Sequence, residues 1–320
     1  MTADATSHVE DNKSSDIPED RPTRHPRARV LDPSRCRRGY FPALPGASTL
    51  FAETAMRRPS VQWILAVVIT LTSAIWQRMS GPTYPTRGTV QLGGQQIALK
   101  LLRTHSITGR QPVTVTVADT AVGGVVEWRR YPTSDAWQTE SMVRTGDVLE
   151  AALPPAPAAL MPMAGKLEYR VTLTRGAEQV RFPDAPAVTR FKGDVPAWVL
   201  IPHILAMFLG MLFATRAAFA AVGGGDTRRW GMFTTALLLF GGFVLGPIVQ
   251  KFAFDAYWTG IPFGYDLTDN KTLIAGVAWI LAAWRLRGGR QAKIAIVVAT
   301  VVTMVVFAIP HSMWGSQAKW

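Results

Sequence analysis

The stretch RRPSVQWILAVVITLTSAIWQR, residues 57–78, decides how the whole chain is read. From Val61 to Trp76 only Gln62 is neither apolar nor a small or hydroxyl residue. A helix crossing a bilayer needs ~20 such residues, with a working range of ~17–25. Pro59 to Gln77 supplies that length. Trp63 and Trp76 stand near the two ends, where amphipathic rings favour the interface. A basic start before an apolar core also describes a secretion signal. However, Ile75-Trp76-Gln77-Arg78 offers no small-x-small cleavage site, so the stretch predicts an uncleaved anchor over 59–78.

Working outward, four more apolar segments follow: Trp198–Thr215, Trp230–Val249, Leu273–Trp284 and Ile294–Ile309. Together they predict a membrane α-helical bundle of five spans, with residues 197–320 forming a four-helix part. The fourth segment is short. It reaches spanning length if its helix starts near Asp269 with that carboxylate as N-cap, and a re-entrant segment is the alternative. Gly241, Gly242 and Gly246 permit close helix packing, and Pro247 predicts a kink. Basic residues flank alternate connections: Arg57 and Arg58, then Arg216, Arg228 and Arg229, then Arg285, Arg287, Arg290 and Lys293. Such residues stay on the cytoplasmic side. This predicts a multi-pass protein of a bacterial inner membrane with a cytoplasmic N-terminus.

Composition agrees. Charged residues are 18% of the 320, below the roughly 25% of a soluble domain, while 48% are hydrophobic. The single cysteine, Cys36, excludes an intrachain disulfide framework and any zinc or iron–sulfur site built on several cysteines. No C-x-x-C-H, Walker A, H-E-x-x-H, G-x-S-x-G or dinucleotide motif is present. The net charge of +12 is spread over leader, loops and β insert without a basic stripe, so nucleic acid is not an expected partner. Residues 1–58, acidic then arginine-rich, predict a disordered cytoplasmic leader. Met56-Arg57-Arg58 also reads as a translation start, which would leave Cys36 outside the mature chain.

Between the first and second spans, residues 84–192 alternate as β structure does. Gly93-Gly94 separates two apolar runs and signals a hairpin. Val113-Thr-Val-Thr-Val alternates strictly. Thr145-Gly146-Asp147 and Arg175-Gly176-Ala177-Glu178 mark two further turns. Six to eight short strands predict an all-β periplasmic sandwich of immunoglobulin or fibronectin type. Trp128 and Tyr169 are its expected core aromatics.

The chemistry-bearing candidates fall on one side of the predicted membrane. His203 lies five residues past Trp198, so about 7–8 Å below the interface at 1.5 Å per residue. His311 follows Pro310 at the far end of the last span. Ionisable groups at membrane depth are functional candidates by default. Two facing imidazoles can ligate a b-type haem or help hold a metal ion, and hydrogen bonding to a neighbouring helix is the structural alternative. The aromatic loop 250–270 is expected to lie along the membrane surface. Around it, Gln250, Lys251, Asp255, Asp266, Asp269, Asn270 and Lys271 form a candidate polar layer. Its carboxylates offer oxygen ligands to a divalent cation, although the spacing matches no EF-hand. The alternative is an ion-paired lid capping the bundle.

The run Phe263-Gly-Tyr-Asp-Leu-Thr-Asp-Asn-Lys-Thr and the terminal Ile309-Pro-His-Ser resemble uncharacterised bacterial inner-membrane proteins. That resemblance implies a periplasmic β-sandwich followed by a helix bundle, over roughly residues 60–320. It carries no activity and no functional residues. The layout also resembles copper-handling proteins, yet the insert holds one His (His105) and three Met (Met142, Met161, Met163), few for such a site. No reaction is legible. The leading expectation is a binding or scaffold protein presenting its sandwich and loop to a membrane or periplasmic protein partner. The alternatives are a haem or metal redox protein on His203 and His311, and a small-solute carrier or membrane enzyme on the Asp266/Asp269/Lys271 layer.

Overall fold

The computed structural model describes residues 58–155, 165–287 and 292–310. The leader 1–57 and His311 lie outside them. Helix α1 spans Pro59–Ser80, with its proline in the first turn, where no backbone donor is lost. It stops at Gly81, which precedes Pro82 and is extended (φ −73°, ψ 151°).

Ten strands follow: β1 Thr86–Leu92, β2 Gln95–Leu101, β3 Thr104–Ser106, β4 Gln111–Thr116, β5 Val122–Arg130, β6 Gln138–Ser141, β7 Val143–Thr145, β8 Val148–Leu153, β9 Lys166–Arg175 and β10 Glu178–Lys192. Gly93 (φ 59°) and Gly94 (φ 76°) make the expected tight hairpin between β1 and β2. The strands form three sheets, ordered β1-β2, β3-β10-β9-β5-β6 and β4-β8-β7. All pairings are antiparallel except β3 with β10. Their inward residues share one core, from Val90 and Leu101 through Val115 and Leu149 to Val171 and Phe191, so the domain is sandwich-like. Inside it the Thr189 hydroxyl donates to Gln111 Oε1 (2.6 Å) and the Tyr169 hydroxyl to the Leu102 carbonyl (2.6 Å). Gln111 Nε2 also donates to that carbonyl (3.1 Å), so these buried polar groups satisfy one another. Tyr169 is fully buried as expected. Trp128 is only half-buried against the core, because it sits near the end of β5.

Two prolines, Pro183 and Pro186, stand late in this domain, where a missing backbone donor disfavours a strand. Instead β10 continues to Lys192. Its register against β9 shifts between Phe182 and Ala187, so the irregularity absorbs both prolines.

Helices α2 (Ala197–Gly223), α3 (Thr227–Phe254), α4 (Leu267–Arg285) and α5 (Lys293–Ala308) form a bundle with α1. Among the described residues three helices, α1, α2 and α3, are long and apolar enough to cross a membrane. At the centre, α2 packs against α1, α3 and α5, while α4 packs on α3 and α5. Alanines at 214, 217 and 221 let α2 approach its neighbours closely. A Cβ on Gly241 would come within 2.9 Å of Ala206 Cβ, and one on Gly242 within 2.7 Å of Thr272 Cγ2, so those glycines set the α3 contacts. Pro247 does not simply kink α3. The turn before it widens to a π-turn over Phe240–Leu245, in which Gly246 N–H bonds the Gly241 carbonyl. The N-cap of α4 is Asp266, which accepts from the backbone N–H of Thr268 (2.8 Å) and Asp269 (3.1 Å). Asp269, expected in that role, is one turn inside the helix.

Outward faces stay apolar and exposed, as at Ile64, Leu71, Leu205 and Val301. The end of α5 is closed by side chains. Gln77 Nε2 donates to Phe307 O (2.9 Å), Trp76 Nε1 to Ala308 O (3.2 Å) and Lys271 Nζ to Ile309 O (2.6 Å). These donors satisfy carbonyls that a helix end leaves open.

Candidate functional site

The last turn of the sandwich rests on the end of α3. Gly193 N–H donates to the Ala253 carbonyl (3.0 Å), and the Arg190 guanidinium lies over the Phe254 ring (5.6 Å to centroid). A side chain at Gly193 would collide with the Phe252 carbonyl oxygen, so glycine permits the approach. Beneath this junction lies a cavity of about 650 Å³. Its sandwich-side wall is polar: Arg190, Lys192 and Asp194, with Gln77 from α1 and Gln250, Asp266 and Asp269 below the loop. Its floor is apolar: Leu200, Ile204, Met207, Phe208, Met211 and Phe307.

Four expected residues meet in this chamber: His203, Gln250, Asp266 and Asp269. The imidazole Nδ1–H of His203 donates to the Gly241 carbonyl (2.9 Å) in the π-turn, the structural role considered above. That bond leaves Nε2 as the ring's lone-pair atom. Asp269 is buried and accepts from Thr259 N–H (2.6 Å), Thr259 Oγ1 (3.2 Å) and Gln250 Nε2 (3.1 Å). Gln250 also donates to Thr259 Oγ1 (2.7 Å). These bonds pin the aromatic loop to α4.

The other expected residues serve elsewhere. Asn270 Oδ1 accepts from Ile261 N–H (2.8 Å), a second stitch to the loop. Lys271 is buried at the end of α5. Lys251 pairs with Asp255 (2.5 Å) on a half-exposed surface. The divalent-cation reading of Asp255, Asp266 and Asp269 is therefore corrected. Among the described residues no cluster of three or more His, Cys, Asp or Glu can hold a metal ion. The carboxylates are spent on a lysine, a helix cap and a loop clasp. His311, the other member of the expected haem pair, lies outside the described residues.

Sequence reading missed Arg190, Lys192, Asp194 and Gln77. The first three stand in Arg190-Phe-Lys-Gly-Asp194, at the end of the β segment 84–192. Their signal was the alternation of Arg190 and Lys192 on one face of a strand, obscured by the preceding prolines. Burial pushes the pKa of Arg190 down, with the negative charge of Asp266 opposing it. Beside it in register, Lys166 is lowered to about 8 by burial and by the Arg190 charge. Asp194 accepts from the Ser106 (2.7 Å) and Thr108 (3.3 Å) hydroxyls.

No family model matches this chain, and no curated protein or solved structure matches it significantly.

Proposed function

We propose that the chain is a five-span bacterial inner-membrane protein with an immunoglobulin- or fibronectin-like periplasmic sandwich, and that it binds a small amphiphile at the sandwich–bundle junction. One observation carries this reading: a single chamber has a polar wall from the sandwich and loop and an apolar floor from the helices. Such concave, largely apolar sites with a few convergent polar groups, of ~300–1,000 Å³, are where small ligands bind. The topology supports it, because the basic connections fall at the end of the helices away from the sandwich.

The test is extraction and mass spectrometry of the purified full-length protein beside Ala74→Trp, which fills the chamber from α1. About one amphiphile per chain in the native protein and a clear loss in the variant are expected. Equal retention in both would overturn the reading. So would a Soret band abolished by His203→Ala, which would turn the chamber into a haem site.

The exposed loop favours a second reading, the scaffold. Phe263 and Tyr265 are 81% and 90% exposed, a surface suited to a protein partner as well as to headgroups.

A further inference from the structure

Resting on the chamber reading, we propose that its ligand is a phospholipid, with the phosphate on the Arg190 guanidinium and an acyl chain leaving along α2 past Ile204 and Phe208.

The charge pattern selects the head. Arg190 is 9% exposed and lines the chamber. Among the described residues no carboxylate lies within ion-pair distance of it. Its guanidinium lies over the face of Phe254, and the negative charge of Asp266 reaches it without contact. A buried guanidinium with no counter-ion in direct contact is costly, and a phosphate supplies charge and paired acceptors in the geometry that guanidinium favours. Lys192, two residues on, adds a second cation to the same wall. The chamber's acids are already engaged: Asp194 with two hydroxyls, Asp266 with the α4 N-terminus, Asp269 with the loop. Those bonds leave the carboxylates charged, so the phosphate is placed on the Arg190 and Lys192 side of the wall.

The floor selects the tail. A free anion needs no apolar floor, and this one reaches as far as Phe307 on α5. Ile204 and Phe208 line the chamber yet remain 42% and 43% exposed. The wall therefore runs on into the outward face of α2, which is the bilayer-facing side of a span. A chain can pass there without leaving apolar surroundings.

The experiment uses the full-length protein, stripped and reconstituted in nanodiscs of defined lipid, read by native mass spectrometry. Phosphatidylglycerol is offered against diacylglycerol, with inorganic phosphate as competitor. Retention of one phosphatidylglycerol per chain is expected. It should fall by about 10-fold or more in Arg190→Gln, as loss of a charge-assisted bond implies, and recover only in part in Arg190→Lys, which keeps the charge and loses the paired donors. Arg190→Lys also guards against a folding defect, since it keeps the charge. Equal retention of diacylglycerol, or no effect of Arg190→Gln, would overturn the phosphate assignment. If Ala74→Trp still empties the chamber, the chamber reading survives that failure. Displacement by millimolar phosphate would assign the site to a free anion. Equal phosphatidylglycerol retention in Ala74→Trp would mark annular lipid and overturn both readings.

Discussion

Asp269 accepts three hydrogen bonds from Thr259 and Gln250 while almost wholly buried, so one carboxylate gathers most of the side-chain bonds to the base of the loop. Removing it leaves the Thr259 N–H without its acceptor at the base of the loop. Bonds to a charged group contribute about 1.5–3 kcal/mol each at most, and a buried orphan donor costs about 1–3 kcal/mol. Asp269→Ala is therefore expected to destabilise the protein by about 2 kcal/mol and to open the loop to protease between Asp255 and Asp266. Asp269→Asn keeps an acceptor and should lose less. Unchanged thermal unfolding and unchanged cleavage in Asp269→Ala would show that the clasp is dispensable. The sequence marked Asp266, Asp269, Asn270 and Lys271 as one polar layer. It did not reveal that they divide the labour: a cap, two loop stitches and a lock on a different helix. Those assignments depend on which chain ends lie nearby, and spacing along one helix does not record that.

At the scale of elements, hydropathy and turn chemistry were enough to place the helices and most hairpins. Gly93-Gly94 and Thr145-Gly146-Asp147 turn where expected, because positive φ is open to glycine. Reading failed where tertiary contacts overrode a local signal. Pro183 and Pro186 locally disfavour a strand, yet pairing with β9 on both sides of the shift carries β10 through to Lys192. The chamber's cations lie on that extension. Pro247 predicted a kink, and the helix widened instead, which puts the Gly241 carbonyl opposite His203. The loop between α3 and α4 has two faces. Trp258 stacks on Phe243 (5.9 Å) and faces inward, while Phe263 and Tyr265 face outward. A photo-crosslinker in place of Tyr265 separates the readings. Lipid adducts are expected of an interfacial anchor, and one discrete protein adduct would establish the scaffold.

For the whole molecule, the proposed topology puts the sandwich and the short Arg-rich connections on opposite sides of the bilayer. With Cys36, the one cysteine, replaced by serine, a single probe can be moved through the chain. In spheroplasts, Asp147→Cys at the exposed β7–β8 turn should react with an impermeant maleimide. Arg287→Cys, after α4, should react only once the membrane is permeabilised. The reverse pattern, or labelling of both in intact spheroplasts, would overturn the five-span arrangement. Helices α4 and α5 are the point at issue. Neither belongs to the long, apolar group, and α5 has 16 residues. A short helix is tolerated at membrane depth when protein donors meet its open carbonyls, as Gln77, Trp76 and Lys271 do here.

That closure also sets a schedule for biosynthesis. Trp76 and Ala308 are 232 residues apart in the chain, so the anchor leaves the ribosome long before its partner exists. On the proposed topology the sandwich folds on the far side of the membrane, and the anchor's polar donors are meanwhile met by water, headgroups or the insertion machinery. Only when the final helix enters are the first and last segments fastened together. A chain interrupted before that helix would keep its anchor and its folded outer domain, yet expose an unfinished seam that membrane quality control could recognise.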